Sequence, residues 1–294
     1  MSDSGTSGVT RLRRRAVPYL LALPAAVWLV GLFLVPLLVM LVKSLETCSP
    51  MTGACTMSWH WGEFGSQLSM FHKQMLTSLK FAGIATAIDL LLAFPIAYWI
   101  AFYGGRRKSF FLLMLLVPFF VSFVIRTVIW EFLLSNDGIV LTTLRNVHVV
   151  STDFHILGTS TAVIAGLAYN FLPFTALPIY VALERIDRRL LDASQDLYAS
   201  RITTFTRVIL PLCIPGIFAA FLLTFIPAFG DYVNQQVLGG IGNTMIGTVI
   251  QNTFLINLDY AGGSALSAIL MVISLVGILV YGRLIGSATI GEFL

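Results

Sequence analysis

Charge is what this chain has least of. Asp, Glu, Lys and Arg make up 11% of its 294 residues and hydrophobic residues 57%, where a soluble domain carries about a quarter charged residues. Mean hydropathy is +0.88, which excludes an ordinary soluble domain and marks an integral membrane protein. Signatures of catalysis are missing too. There is no G-x-x-x-x-G-K-[ST] phosphate loop, no H-E-x-x-H and no Cys/His spacing suited to zinc, so neither nucleotide hydrolysis nor metal catalysis is encoded here. The histidines His60, His72, His148 and His155 are scattered through polar connectors and read as interface residues rather than metal ligands. If such a chain moves a solute uphill, an ion gradient or a separate subunit supplies the energy. Cysteine is scarce as well. Cys213 lies near the start of an apolar run, and Cys48 and Cys55 flank the turn-forming Ser-Pro-Met-Thr-Gly-Ala, which leaves a disulfide and two free thiols both open.

What the chain does have is apolar runs of roughly twenty residues or more, long enough to cross a hydrocarbon core ~30 Å thick as helices. Barrel strands would instead be alternating segments of about ten residues. The expected fold is therefore an all-α membrane bundle of six transmembrane helices. The first span, at 16–42, follows Arg11, Arg13, Arg14 and Arg15. It exceeds the ~7–15 residues of a signal-peptide core and reads as an uncleaved signal anchor bent by Pro18, Pro24 and Pro36. The others are expected at 76–103, 109–134, 158–183, 209–229 and 264–281, the third ended by the turn signal Ser135-Asn136-Asp137-Gly138.

Six crossings put both termini on one side. Most of the eighteen Lys and Arg fall there: the N-terminal arginines, Arg106, Arg107, Lys108, Arg185, Arg188, Arg189, Arg201, Arg207 and Arg283. The positive-inside rule makes that side the cytoplasm. The net charge of +4 thus reports topology and not affinity for nucleic acid.

Between the fourth and fifth spans, 190–215 is too polar to cross a bilayer. Its residues predict a helix over 190–200 with Leu190, Leu191, Ala193 and Leu197 apolar and Asp192, Gln195 and Asp196 polar. Arg201 near its end suits the C-terminal dipole. Thr203 or Thr204 is expected to cap a second helix beginning near Phe205, with Pro211 and Pro215 bending the entry into the next span. On pattern alone this is equally an amphipathic surface helix or an element that docks a partner.

The string Asp192-Ala193-Ser194-Gln195-Asp196-Leu197-Tyr198-Ala199-Ser200, followed by Thr204-Phe205, Val208, Leu210-Pro211 and Pro215-Gly216, resembles the E-A-A-x-x-x-G signature of ABC importer permeases. The resemblance implies a cytoplasmic coupling helix that docks an ATPase subunit through Asp192, Ala193, Ser194, Asp196, Leu197, Tyr198, Ala199, Ser200 and Arg201. Two residues depart from it: Asp192 keeps the charge of the usual Glu on a shorter stem, and Tyr198 replaces Gly. A non-glycine residue at positive φ is strained.

The likeness extends over spans two to six. Pro118-Phe119, Ser122, Ile125-Arg126-Thr127, Leu134-Ser135-Asn136-Asp137-Gly138, Leu172-Pro173-Phe174, Pro178-Ile179-Tyr180, Ile226-Pro227-Ala228-Phe229-Gly230-Asp231-Tyr232, Gly239-Gly240 and Ile246-Gly247 are similar to spermidine/putrescine-type permeases, within the binding-protein-dependent type I importers. That resemblance implies a bacterial inner-membrane subunit with no cofactor of its own. Its partners would be a second homologous permease, an ABC ATPase dimer that binds ATP and Mg, and an extracytoplasmic polyamine-binding protein. The implied organisation is a cytoplasmic basic tail at 1–15, a permease domain at 16–285 with its coupling loop at about 184–208, and a cytoplasmic tail at 286–294. A polyamine would pass by alternating access.

A polycation needs acids and aromatic faces along its path. Ionisable groups inside spans cost about 2.5–3.5 kcal/mol on insertion scales and normally face the bundle interior, which makes Asp89, Arg126, Glu131 and Asp231 candidates. Trp130 accompanies Glu131, Tyr232 accompanies Asp231, and Tyr169 lies in the fourth span. Asp89 or Glu131 could instead simply neutralise Arg126; residues 126 and 131 are about 140° apart on one helix, so a pair would form between helices. Asp231 is equally a gate or an interfacial residue. Two other readings remain open: a type I permease for another small solute, and a gradient-driven secondary transporter, often built with internal repeats, of which none is evident. A membrane enzyme would need convergent catalytic groups, which the sequence lacks.

Overall fold

The apolar runs fold into long helices in the computed structural model, which describes residues 23–48, 55–57, 59, 61–147, 150–151 and 154–291, without the side chains of 47, 48, 55 and 284–291. The basic run at 11–15, Pro18, His60, His148 and residues 292–294 lie outside the described residues. Helix α1 (Leu23–Lys43) sits at the periphery. Its π turn at Val30–Leu34 comes just before Pro36, because proline has no N–H to continue the i to i−4 ladder and a wider turn absorbs the missing bond. Strands β1 (Glu46–Cys48) and β2 (Cys55–Met57) then form an antiparallel hairpin.

Helix α2 (Gly62–Tyr103) has 42 residues, about 63 Å at 1.5 Å per residue and roughly twice a hydrocarbon core. It begins well before residue 76, where the apolar run starts, since 62–73 is polar but holds no proline or turn run to stop a helix. There follow α3 (Lys108–Leu116), a 3-10 turn Val117–Phe120, α4 (Phe123–Leu134), α5 (Ile139–Asn146), α6 (Ser160–Glu184), α7 (Arg188–Asp196), α8 (Arg201–Phe229), α9 (Val233–Leu238), α10 (Ile246–Leu255) and α11 (Tyr260–Gly291).

Among the described residues five helices, α1, α2, α6, α8 and α11, are long and apolar enough to cross a membrane. A bent pair, Gly105–Phe120 and Phe123–Asn146, which meet at 86°, makes a sixth crossing if the two are counted as one span. The third span is therefore not the single helix expected at 109–134. Pro118 removes a ladder N–H, and Val121 and Ser122 leave the helix with ψ of 140° and 139°.

Helices α2, α6 and α8 pack against one another as the centre of the bundle. Small side chains let the backbones approach: Ala82, Ala85, Ala93, Ala97 and Ala101 on α2 and Ala220 on α8 are buried. At Gly216 an added Cβ would run into Ala182 Cβ and the Pro178 carbonyl. Besides a small cluster of Met75, Ile246, Val249 and Leu266, the buried side chains form two larger layers. One gathers Phe81, Ala85, Val163, Leu167, Phe229 and Leu238; the other, nearer the basic end, gathers Ala97, Ile179, Leu183, Ile209 and Cys213.

Short helices α9 and α10 close the opposite end. Ile246 N–H donates to Ser78 Oγ over 2.7 Å, tying α10 to α2. Gly158 N–H donates to the Leu238 carbonyl over 2.9 Å, tying the start of α6 to the end of α9. Helix α8 starts at Arg201, earlier than the expected Phe205, because Ser200 caps it by accepting from Thr203 N–H over 3.2 Å. Phe205–Ile209 is a second π turn, again just before a proline, Pro211.

Candidate functional site

The bundle is interrupted at two places that face each other. Helix α8 ends at Phe229, the chain turns at Gly230, Asp231 and Tyr232, and α9 continues beyond the break. Helix α9 packs against α4, which follows the bend of the third span, and against α6. Where the three meet, Asn170 Nδ2 donates to Thr127 Oγ1 over 3.1 Å and to Asn234 Oδ1 over 3.0 Å. All three side chains are fully buried. Asn170 is ten residues into α6, about 15 Å of helix, which is roughly half a hydrocarbon core.

This triad was only partly visible in the sequence: Thr127 belongs to the string Ile125-Arg126-Thr127, but Asn170 and Asn234 were not singled out. A lone amide in the apolar run 158–183 was the available signal. A second polar contact, Thr175 Oγ1 to Thr224 Oγ1 at 2.6 Å, joins α6 to α8 one turn further toward the basic end. The aromatic candidates Trp130 and Tyr169 do come together beside the triad, edge to face, with ring centroids 5.2 Å apart.

The ionisable candidates do not form one cluster. Asp231 is buried and one of its carboxylate oxygens accepts the Asn234 N–H over 2.8 Å, so it caps the first turn of α9 while Tyr232 stays 43% exposed. Glu131 is half-buried on α4, one residue from Trp130. Asp89 is fully buried on α2, and neither carboxylate oxygen has a hydrogen-bond partner among the described residues. It falls between the two apolar layers, on the helix that packs against α6 and α8.

Arg126 is paired with neither acid. Its guanidinium carbon sits 4.0 Å from the centroid of the Phe119 ring, its Nε and Nη1 are buried without partners, and the ion pairs among the described residues are Lys43–Glu46 and Lys108–Glu184. Neutralisation of Arg126 by Asp89 or Glu131 is therefore not how the charge is held. The bend after Pro118 brings Phe119 over it instead. No three His, Cys, Asp or Glu side chains converge as metal ligands among the described residues.

The second candidate region lies at the basic end. Asp187 caps α7 by accepting Arg189 N–H over 2.9 Å. Leu191 packs onto the apolar layer of Ile179, Leu183 and Ile209. Ser194 is buried and its Oγ is 2.9 Å from Thr204 Oγ1 on α8. Phe205, just beyond, meets the Phe94 and Tyr98 rings of α2 at 5.6 and 6.2 Å. Helix α7 is thus held to the basic end of the bundle through Leu191 and Ser194, and α8 in turn packs on α2 through Phe205. Ser194 faces the bundle and Ala199 is half-buried, whereas Asp192, Ala193, Asp196, Leu197, Tyr198, Ser200 and Arg201 are exposed.

The end of α7 is a Schellman turn. Tyr198 N–H donates to the Gln195 carbonyl over 2.9 Å and Ala199 N–H to the Ser194 carbonyl over 3.0 Å, the two bonds that define this motif. Its left-handed position, normally glycine, is filled by Tyr198 at φ +54°. Elsewhere, β1 and β2 place the Cα atoms of Cys48 and Cys55 opposite each other; their side chains lie outside the described ones.

Residues 84–287 match the family described as "Binding-protein-dependent transport system inner membrane component". The spermidine/putrescine transport system permease protein PotB of Haemophilus influenzae is 38% identical over 214 residues, covering 73% of this chain and 75% of the relative. The protein of the same name in Escherichia coli is 37% identical over 214 residues, covering 73% and 78%. In fold, the chain is similar to a bacterial ABC transporter involved in import of the acidic polysaccharide alginate. The TM-score is 0.71 at 18% identity, over 95% of this chain and 98% of that one. It is also similar to the MetNI methionine ABC transporter, with TM-score 0.57 at 16% identity over 76% and 97%. The chain is a multi-pass membrane protein that belongs to the family of binding-protein-dependent transport system inner membrane components.

Proposed function

We propose that this chain is the permease subunit of an ATP-driven importer that receives a polyamine such as spermidine or putrescine from an external binding protein and passes it to the cytoplasm by alternating access. The observation that carries the reading is the placement of α7. It lies between the helix that supplies Asn170 and the helix whose continuation supplies Asn234, and Ser194 and Leu191 clamp it to the bundle. A displacement of α7 therefore acts on α6 and α8 together, the two elements that meet at the mid-depth break.

In this reading the basic end is cytoplasmic, as are the tails at 1–15 and 286–294, and the permease domain runs over 16–285. The exposed face of α7 within the loop at about 184–208 couples to an ATPase dimer that holds ATP and Mg, and a second homologous permease completes the path. The polyamine assignment is supported by the names of the relatives, and by an aromatic pair and acids near the breaks: Trp130 with Tyr169, Glu131, Asp231 and, deeper, Asp89.

Arg126 favours a second reading, a permease of the same family for a less cationic solute, because an unpaired guanidinium beside the breaks repels a polycation. Reconstitution of the chain with its partner permease, ATPase and binding protein, followed by uptake of labelled spermidine and putrescine, separates the two. ATP-dependent polyamine uptake is expected. Uptake of another solute with none of either polyamine selects the second reading, and gradient-driven uptake by this chain alone overturns both.

A further inference from the structure

Tyr198 combines two features that folding alone does not explain. It occupies the left-handed position of the turn that ends α7, at φ +54°, where a Cβ is disfavoured and glycine is the easy choice. Its ring gains nothing from the fold in return, because the residue is 99% exposed. Backbone strain without compensating contacts inside the chain points to contacts outside it. The neighbours strengthen the point, since Leu197 is 81% and Ile202 77% exposed, so the turn presents three large apolar side chains in one short stretch.

Two kinds of surface accept such a tip, a protein pocket or the lipid headgroup layer. The charges favour the protein. Helix α7 has Leu191 and Ser194 turned toward the bundle, and its exposed side carries Arg188 and Arg189 at its start, then Asp192 and Asp196, with Arg201 three residues beyond the tip at the start of α8. Asp196 and Arg201 flank the aromatic residue with opposite charges, whereas a headgroup layer selects a cationic rim. A mixed rim of both signs around an apolar centre is instead the composition of a protein interface, in which one aromatic side chain commonly dominates.

We propose that Tyr198 is the anchor residue of the interface with the ATPase subunit: its ring fills an apolar pocket there, and it thereby selects an ATPase that has room for a ring at this point. This rests on the coupling reading of α7, and the variants below separate the two.

The test uses the whole complex in nanodiscs, with tagged ATPase titrated onto the permease pair. Tyr198→Gly relaxes the turn and removes the ring. The expected result is a loss of about tenfold in ATPase affinity, the effect of losing one well-buried aromatic contact, and fewer solute molecules moved per ATP, while the thermal midpoint of the permease pair stays level or rises. Tyr198→Phe recovers most of that affinity. Tyr198→p-benzoylphenylalanine, irradiated in the assembled complex, is expected to crosslink to the tagged ATPase.

Unchanged affinity and coupling in Tyr198→Gly overturn the proposal, as does crosslinking to lipid in place of the ATPase. The paired change Asp192→Arg with Asp196→Arg supplies the control. If it disrupts ATPase binding and Tyr198→Gly does not, the anchor role fails while the coupling reading stands; if neither disrupts binding, the coupling reading itself fails.

Discussion

Asn170 Nδ2 donates to Asn234 Oδ1 over 3.0 Å in a fully buried site, and that bond joins the helix leading into α7 to the continuation of the helix leading out of it. The loop at the basic end and the break after α8 are therefore connected through α6, α8 and this bond. Replacing Asn170 by Leu leaves Asn234 Oδ1 with only the longer 3.4 Å bond from Thr127 Oγ1, and losing one buried hydrogen bond costs about 1 kcal/mol. Thermal unfolding of the detergent-purified complex should show this loss. The double change Asn170→Leu with Asn234→Leu should be less harmful than the sum of the single changes, because both ends of the bond go together. Strictly additive losses count against the coupling.

Asp231 is both a charge and a cap. Asn caps nearly as well as Asp, whereas Ala does not. Asp231→Asn should therefore keep the fold of α9 and lower polyamine uptake, as should Glu131→Gln, while Asp231→Ala should in addition lose about 1 kcal/mol of stability. Uptake assays with assembly checked by size exclusion read both effects. Unchanged uptake in Asp231→Asn and Glu131→Gln removes these acids from the path.

Among the described residues Arg126 is held by the rings of Phe119 and Phe123 and by no acid, an expensive arrangement for a buried cation. Arg126→Met keeps the length of the stem against Phe119 and removes the charge, so the thermal midpoint of the purified subunit should stay level or rise. A fall of several degrees means that the guanidinium stabilises the fold of this chain more than a neutral stem of the same length does.

Gly216 admits no side chain, since its Cβ would meet Ala182 and the Pro178 carbonyl. Gly216→Val should force α6 and α8 apart at a cost of about 1–3 kcal/mol and reduce the yield of assembled complex in blue native gels. Normal yield would mean that this contact loosens without consequence.

The hairpin register sets Cys48 opposite Cys55. We expect a disulfide there in the protein taken from an oxidising compartment, so alkylation before reduction should leave both thiols unlabelled in mass spectra. Labelling of both without reduction removes the bridge.

Legibility in the sequence followed the range of each interaction. The first, second, fourth, fifth and sixth spans were readable because hydropathy over about twenty residues is a local sum. The third span was expected as one helix at 109–134, whereas the chain there forms two helices at 86°, since a proline announces a kink without setting its angle. The early start of α8 turned on whether Ser200 or a threonine took the cap, and Thr204 was already engaged by Ser194. Tyr198 stood out in the sequence as a departure from glycine, and the structure gives that position φ +54°.

By itself, the sequence determined that this protein lives in a membrane as a helical bundle and that the helix at 190–200 is too polar to cross it, because burying or hydrating a stretch of chain depends on its own composition. Only the tertiary structure decided which polar groups meet. Asn170 and Asn234 are 64 positions apart, and Arg126 finds Phe119 rather than an acid. Such pairings depend on how helices cross and where they break, and no local pattern of residues encodes that.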